Sequence, residues 1–193
     1  MENMDFFGEN TKAKLNKSEL VKVFTVLDTK LKENSLVLQL AIYGGSVMNL
    51  LYDNRPATRD IDCVFNTSDE KLLDNILDDV GFIFSLNKNW INQDIKEPLK
   101  ALERQELLKL MEFDNLKIIA PSKEQMLAMK VLSARPEPSK DFIDAELLCK
   151  DLNITTKEQI IKNFRRFMPV SLIGERQIQF IKYVGVDLGY DWK

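Results

Sequence analysis

Two adjacent glycines, Gly44 and Gly45, stand between a short apolar run at 37–43 and a short amphipathic segment at 46–52. The apolar run is typical of a buried strand, and the amphipathic segment is typical of a helix. Glycines at such a junction permit a tight turn and a close approach to a ligand, because no Cβ stands in the way. The sequence therefore predicts a strand–turn–helix unit whose backbone N–H groups hold phosphate oxygens, with the Ser46 hydroxyl as a further donor.

Two acidic residues, Asp60 and Asp62, follow this turn and alternate with apolar residues up to Phe65. Alternate residues of a strand share one face, so we expect both carboxylates to point the same way. Such a pair can bind one or two Mg²⁺ ions, which would hold a triphosphate and neutralise charge that develops during its reaction. Taken singly, each feature is commonly a turn or a surface acid, but their order and spacing together favour a nucleotide and metal site.

The absence of histidine from the 193 residues limits the chemistry that this chain can perform. Catalytic triads, histidine general bases and histidine zinc sites are excluded, and a bound metal would be a hard cation on oxygen ligands. The two cysteines, Cys63 and Cys149, are expected to be buried thiols of a cytoplasmic protein. No apolar run reaches the roughly 20 residues of a membrane span, so no membrane association is expected. The net charge of −3 gives no support for nucleic-acid binding.

The remaining pattern predicts an α+β class with two halves. Residues 1–120 mix strands and helices, whereas 121–193 read as helices packed on the first half. Capping residues and apolar spacing predict helices at 17–32, 68–80, 122–134, 140–151, from about 155 and at about 175–184. Ser68 and Thr155 are the predicted N-terminal caps of the second and fifth of these helices. Gly81 is expected to stop the second of these helices, and 106–119 is expected to form a hairpin. No element is assigned to 82–105.

The order Gly44-Gly45-Ser46, spacer, Asp60-Ile61-Asp62 resembles the signature of the DNA polymerase β-like nucleotidyltransferase superfamily. Over about 37–150 the chain resembles a narrower group, the minimal bacterial nucleotidyltransferases related to the toxins of type IV toxin–antitoxin systems (abortive-infection type). The segments that carry this resemblance are 55–62, similar to Arg-x-Thr-x-Asp-Ile-Asp; 90–92, similar to Trp-Leu-Asn; and 126–144, similar to Leu-Leu-Ala-x-Lys…Arg…Asp-x-x-Asp.

The resemblance implies a nucleotidyltransferase fold, a small mixed sheet flanked by helices, with a helical C-terminal half. It also implies transfer of NMP from NTP to a hydroxyl with Mg²⁺ or Mn²⁺, in some members to tRNA, and for a toxin an antitoxin protein as partner. The implied catalytic residues are Asp60, Asp62, Lys130, Asp141 and Asp144. The implied nucleotide-binding residues are Gly44, Gly45, Ser46, Arg55, Arg59 and Arg135.

Several of these assignments have structural alternatives. Lys130 could bind phosphate or could be a structural lysine whose stem packs on apolar surface, and Asp144 could form a structural ion pair with Lys130 or Arg135. Trp90 fits a core position better than a base-stacking one. A third metal carboxylate stays open, with Glu112 as the best-placed candidate and Asp114 better explained by a turn.

Two non-enzymatic functions compete with the transferase. One is a catalytically inactive member of the fold that acts as a partner-binding module, although the intact pair Asp60 and Asp62 argues against loss of the site. The other is a nucleic-acid-binding module without chemistry, which the acidic net charge disfavours.

Overall fold

A mixed sheet forms the centre of the first half in the computed structural model, which describes residues 15–51, 57–135 and 139–190. Its strands are β1 (Leu38–Ile42), β2 (Ile61–Phe65), β3 (Ile91–Asn92), β4 (Leu107–Glu112) and β5 (Leu116–Pro121). They lie in the order β3-β2-β1-β5-β4. β1 is parallel to β5 and antiparallel to β2, while β3 is parallel to β2 and β4 is antiparallel to β5. The predicted α+β class and the predicted hairpin are confirmed.

Eight α-helices accompany the sheet in the described part of the chain. They are α1 (Lys17–Glu33), α2 (Gly44–Leu51), α3 (Glu70–Ile83), α4 (Lys96–Leu99), α5 (Lys123–Ser133), α6 (Lys140–Asp151), α7 (Lys157–Phe164) and α8 (Glu175–Asp187). α5 follows β5 almost directly and packs against α6, α7 and α8. One apolar core runs through both halves and includes Phe24 of α1, Leu40 of β1 and Phe164 of α7, all fully buried. The sheet and the helical half therefore pack as neighbours around shared apolar side chains.

The structure corrects the prediction that Gly81 ends a helix, because α3 continues to Ile83. A Cβ at Gly81 would lie 2.9 Å from Nε1 of Trp90, so the glycine makes room for the indole ring. The ring is buried, and Nε1 donates a hydrogen bond to the Leu77 carbonyl at 3.2 Å. Trp90 is thus a core residue, as expected, and it anchors the short strand β3 beside β2.

Two N-terminal caps lie one residue later than the sequence pattern predicts. Asp69, not Ser68, caps α3, because its side chain accepts a hydrogen bond from the Leu72 N–H at 2.9 Å. Thr156, not Thr155, caps α7 by the same type of bond to Gln159. Such shifts are small because a cap and the residue before it often carry the same polar character.

Both cysteines are buried free thiols, as predicted. Burial raises the pKa of Cys63 and of Cys149 to about 12, so neither is a reactive thiolate. Across the part of the chain that the structure describes, no helix has both the length and the apolar character needed to cross a bilayer.

Candidate functional site

Gly44 stands at the tight junction of β1 and α2, beside the acid predicted to bind metal. Its φ of +61° lies in the left-handed region, which other residues adopt only at a cost. A Cβ at this position would lie 2.8 Å from Oδ2 of Asp62, which is closer than van der Waals contact. The Tyr43 N–H also donates to the Asp62 carbonyl at 2.8 Å. Glycine at position 44 is therefore required by both backbone conformation and space, and the predicted turn and acid lie side by side.

Ser46 is oriented differently from the prediction. Its side chain is buried, and its hydroxyl donates to the Tyr43 carbonyl at 2.9 Å. Because a hydroxyl has one proton, this bond uses the donor that was expected to meet a phosphate. In this geometry Ser46 stabilises the turn from inside.

The two acids differ in their surroundings. Asp60 precedes β2 and is exposed, and the Thr58 hydroxyl lies 3.3 Å from its Oδ1. Asp62 lies within β2 and is half-buried. Burial raises the pKa of the Asp62 carboxyl above its ordinary value, and the negative charge of Asp60 raises this pKa further. A carboxylate with these neighbours is stabilised by a cation.

Two residues beside Asp62 had no role assigned from the sequence. Asn92 of β3 lies opposite Asp62 in the strand register, and its side-chain hydrogen bond to Asp62 lowers the pKa of that carboxyl. The Asp94 N–H donates to Oδ1 of Asn92 at 3.0 Å, which fixes the amide orientation. The negative charge of Asp94 raises the pKa of Asp62, whereas the Asn92 hydrogen bond lowers it. The only signal in the sequence was the resemblance at 90–92, which marks the segment but not the orientation of its side chains.

A cleft of about 220 Å³ lies between the two halves of the chain. The first half contributes Asp62, Asp94 and Pro98, and the helical half contributes Met129, Leu132 and Arg135. Asp62 and Asp94 of the first half therefore line the same cleft as Arg135, which follows α5.

Lys130 connects α5 to α6 through two carboxylates. Its Nζ lies 2.7 Å from Oδ1 of Asp141 and 2.7 Å from Oδ2 of Asp144, and all three side chains are buried. Nε of Arg135 lies 2.9 Å from the other oxygen of Asp141, while 73% of the Arg135 side chain is exposed. The charge of Lys130 also lowers the pKa of Asp62. The structure thus brings together the four predicted residues of the helical half and places their cations near the acids.

Comparison with protein families agrees with this arrangement. A family model described as a nucleotidyltransferase of unknown function (DUF6036) matches residues 18–183. The chain belongs to this nucleotidyltransferase family. No curated protein and no solved structure matches it. The family description supports a transferase that acts on a nucleotide, and the mixed sheet with its helical half is consistent with a nucleotidyltransferase-like fold.

Some residues predicted for the site of this family member lie away from the cleft. Glu112 is at the end of β4, three strands from β2, and pairs with Lys109. Glu112 is paired in register with Lys117, which in turn aligns with Gln39 near the start of β1. Asp62 lies beside Tyr43, at the opposite end of β1. Glu112 is therefore not positioned to share a metal with Asp62, because several strand spacings separate the two.

Three other predictions have simpler outcomes. Asp114 forms an exposed ion pair with Lys32 at 3.0 Å, in agreement with a turn role. Arg59 is exposed next to Asp60, and Arg55 lies outside the described residues. Within the described ranges, no three acidic or cysteine side chains form a cluster that could hold a metal.

Proposed function

We propose that this family member transfers a nucleoside monophosphate from an NTP to a hydroxyl group in a magnesium-dependent reaction. The observation that carries the proposal is the contact between Gly44 and Asp62, in which a carboxylate oxygen lies where a side chain at position 44 would be. A phosphate at the turn and a cation at the carboxylate would then be immediate neighbours. This is the arrangement that phosphoryl transfer requires, because its catalysis consists mainly of positioning and charge neutralisation.

Asp60 and Asp62 would hold Mg²⁺ or Mn²⁺. Their oxygen donors suit a hard cation, and the raised pKa of Asp62 reflects burial and like-charge repulsion that a cation would relieve. Mg²⁺ is commonly bound by one or two carboxylates together with substrate phosphates and water, which agrees with the two acids found here. When bound, the ion would supply positive charge against the triphosphate.

Arg135 and Lys130 would supply positive charge from the opposite wall. Asp141 holds Arg135 through Nε at 2.9 Å, and the largely exposed side chain leaves its end available to a ligand. Asp141 and Asp144 hold the Lys130 ammonium from two sides. We propose that Asp141 and Asp144 are positioning residues, which keep the two cations directed at the cleft.

The decisive experiment incubates the protein with each labelled NTP, Mg²⁺ and total bacterial RNA, and follows transfer of label on a gel. Parallel reactions replace the RNA with a protein extract or with small hydroxyl compounds. Transfer by the wild type and none by Asp62→Asn would support the proposal. Absence of transfer from every NTP to every acceptor would contradict it and favour the partner-binding module.

A toxin-like role with tRNA as acceptor and an antitoxin as partner belongs to the same proposal and rests on the resemblance of 37–150. Its test is growth of a bacterial culture after induced expression. Growth arrest that depends on Asp62 supports the role, whereas unimpaired growth with an active enzyme contradicts it.

A further inference from the structure

A second cavity of about 260 Å³ opens beside the cleft, between the end of α5, α6 and α8. Its lining includes Arg135, Phe142, Arg176, Gln179, Phe180 and Tyr183. Arg135 lines both this cavity and the cleft that contains Asp62. The two spaces therefore meet at one arginine, and a ligand in the second cavity would lie next to a nucleotide in the first.

Two guanidinium groups give the second cavity its positive charge. Asp141 holds Nε of Arg135 at 2.9 Å, so the orientation of this guanidinium is fixed while most of its side chain stays exposed. Arg176 lies in the first turn of α8 and is exposed, and no carboxylate of the described residues lies within ion-pair distance of it. Guanidinium groups bind phosphate oxygens with paired N–H donors. The described cavity lining contains no acidic side chain, so the two arginines suit an anionic group of a bound ligand.

Aromatic rings form the remaining wall. Phe142 and Phe180 are buried and pack edge to face, with ring centroids 5.8 Å apart. Tyr183 is 43% exposed, and the Gln179 amide donates to its hydroxyl at 3.1 Å. A half-exposed ring that is fixed in this way offers a surface on which a nucleobase can stack.

We propose that this cavity binds a nucleotide unit of the acceptor, with its phosphate at Arg135 and Arg176 and its base against Tyr183. The inference rests on the proposed function, because an acceptor hydroxyl must reach the NTP in the neighbouring cleft. It assigns the acceptor to the class of phosphorylated nucleosides. Such a unit can come from the end of an RNA strand or from a free mononucleotide.

The first test measures binding of an end-labelled single-stranded RNA to the full chain by fluorescence anisotropy. Arg176→Gln is expected to weaken binding about tenfold, the loss typical of one charge-assisted hydrogen bond. It should also reduce the slope of log affinity against log salt by about one, which a purely structural residue would not do. Arg165→Gln is the matched control, since Arg165 is exposed at the C-terminal cap of α7 and lines neither cavity.

A second pair of variants tests the ring. Tyr183→Leu should weaken RNA binding about fivefold or more, the lower end of the loss for one stacked base. Tyr183→Phe keeps the ring and should bind nearly as well as the wild type. Equal losses in both variants would assign the effect to the hydroxyl and overturn the stacking part of the proposal.

Adenosine monophosphate and inorganic phosphate serve as competitors that separate the two sources of the ligand. Weak competition by both supports an RNA strand, whereas complete displacement by adenosine monophosphate, lost in Arg176→Gln, supports a free mononucleotide. Equal RNA binding by wild type and Arg176→Gln would overturn the proposal, as would the absence of binding by either ligand. Thermal stabilisation by NTP with Mg²⁺ reports the cleft separately and should persist in Arg176→Gln, so failure of that signal in the wild type would contradict the proposed function instead.

Discussion

Nζ of Lys130 lies 2.7 Å from Oδ2 of Asp144, and both side chains are buried. Asp141 holds the same ammonium on its other side. Removing one partner from a buried ion pair costs far more free energy than removing one from an exposed pair, because the remaining charge stays out of water. Lys130 therefore joins α5 to α6, and its positive charge lowers the pKa of Asp62.

Lys130→Met should lower the free energy of unfolding by about 3 kcal/mol, because two buried carboxylates lose their shared cation. Urea denaturation followed by circular dichroism measures this loss. Lys123→Met is a control on the same helix, since its pair with Asp151 is partly exposed, and should cost less than about 1 kcal/mol. Adding Asp144→Asn to Lys130→Met should recover part of the loss, and equal costs for the two single lysine variants would contradict a structural role for Lys130.

Asp62→Asn should abolish transfer and stabilise the metal-free protein. The pKa of Asp62 is raised in the folded state, so the ionised carboxylate at neutral pH opposes folding. As the pH falls through the raised folded pKa toward the ordinary value, the carboxyl becomes protonated and this cost disappears. The stability advantage of Asp62→Asn over the wild type should therefore be largest at neutral pH and shrink in acid. Thermal melts at several pH values check this, and the opposite trend would rule out the inferred direction of the shift.

Addition of Mg²⁺ should raise the melting temperature of the wild type, most strongly with NTP present. The same addition should have little effect on Asp62→Asn, because one of the two carboxylates is gone. Glu112→Gln provides the contrast, since Glu112 lies away from the cleft and pairs with Lys109. A larger loss of the Mg²⁺ response in Glu112→Gln than in Asp62→Asn would reverse the assignment of the metal site.

Gly44→Ala should impair both stability and nucleotide binding. The new Cβ would combine a left-handed backbone with a 2.8 Å approach to Asp62, so the turn or the carboxylate must move. Gly189→Ala is the matched control, because Gly189 also has a positive φ of +75° but its Cβ would meet no atom within 4 Å. Gly189→Ala should cost about 1 kcal/mol and leave NTP affinity unchanged. Calorimetric titration with NTP and Mg²⁺ separates the two variants, and similar behaviour would show that the contact with Asp62 is unimportant.

Ser46→Ala should lower the free energy of unfolding by about 1 kcal/mol with little change in NTP affinity, because its hydroxyl bonds to Tyr43. The same titration and a urea melt measure the two effects. A large loss of NTP affinity without loss of stability would restore the hydroxyl as a phosphate donor.

Much of the fold follows from local signals in the sequence. The helix predicted at 140–151 coincides with α6. Its apolar spacing and the helix-breaking residues before it lie within a few turns of one another, so local sequence is enough to predict its bounds. β3 was not predicted, since its two residues are ordered by pairing with β2 and by the buried Trp90. The role of Gly81 was also mispredicted, because this glycine makes room for the indole ring of Trp90, a contact that the local sequence does not show.

The candidate site shows a similar division. The proximity of the turn and the acids could be predicted from the sequence, because residue type and strand periodicity indicate that Gly44 and Asp62 lie at the ends of neighbouring strands. The inward orientation of the Ser46 hydroxyl and the hydrogen bond of Asn92 to Asp62 depend on side-chain packing between distant segments. Glu112 was proposed as a metal ligand without knowledge of strand order, and the order places it at the far edge of the sheet.

The turn at Gly44 and the helix α5 follow adjacent, hydrogen-bonded strands. β1 runs into Gly44, and its parallel neighbour β5 runs into Ser122 and then α5, so both continue from the same edge of the sheet. Adjacent strands are held about 4.8 Å apart by their backbone hydrogen bonds, which resist bending at this junction. The spacing between the turn and the start of α5 is consequently set by the sheet before any ligand arrives. We expect substrates to be selected by their fit to a preset spacing, and not by closure of one half upon the other.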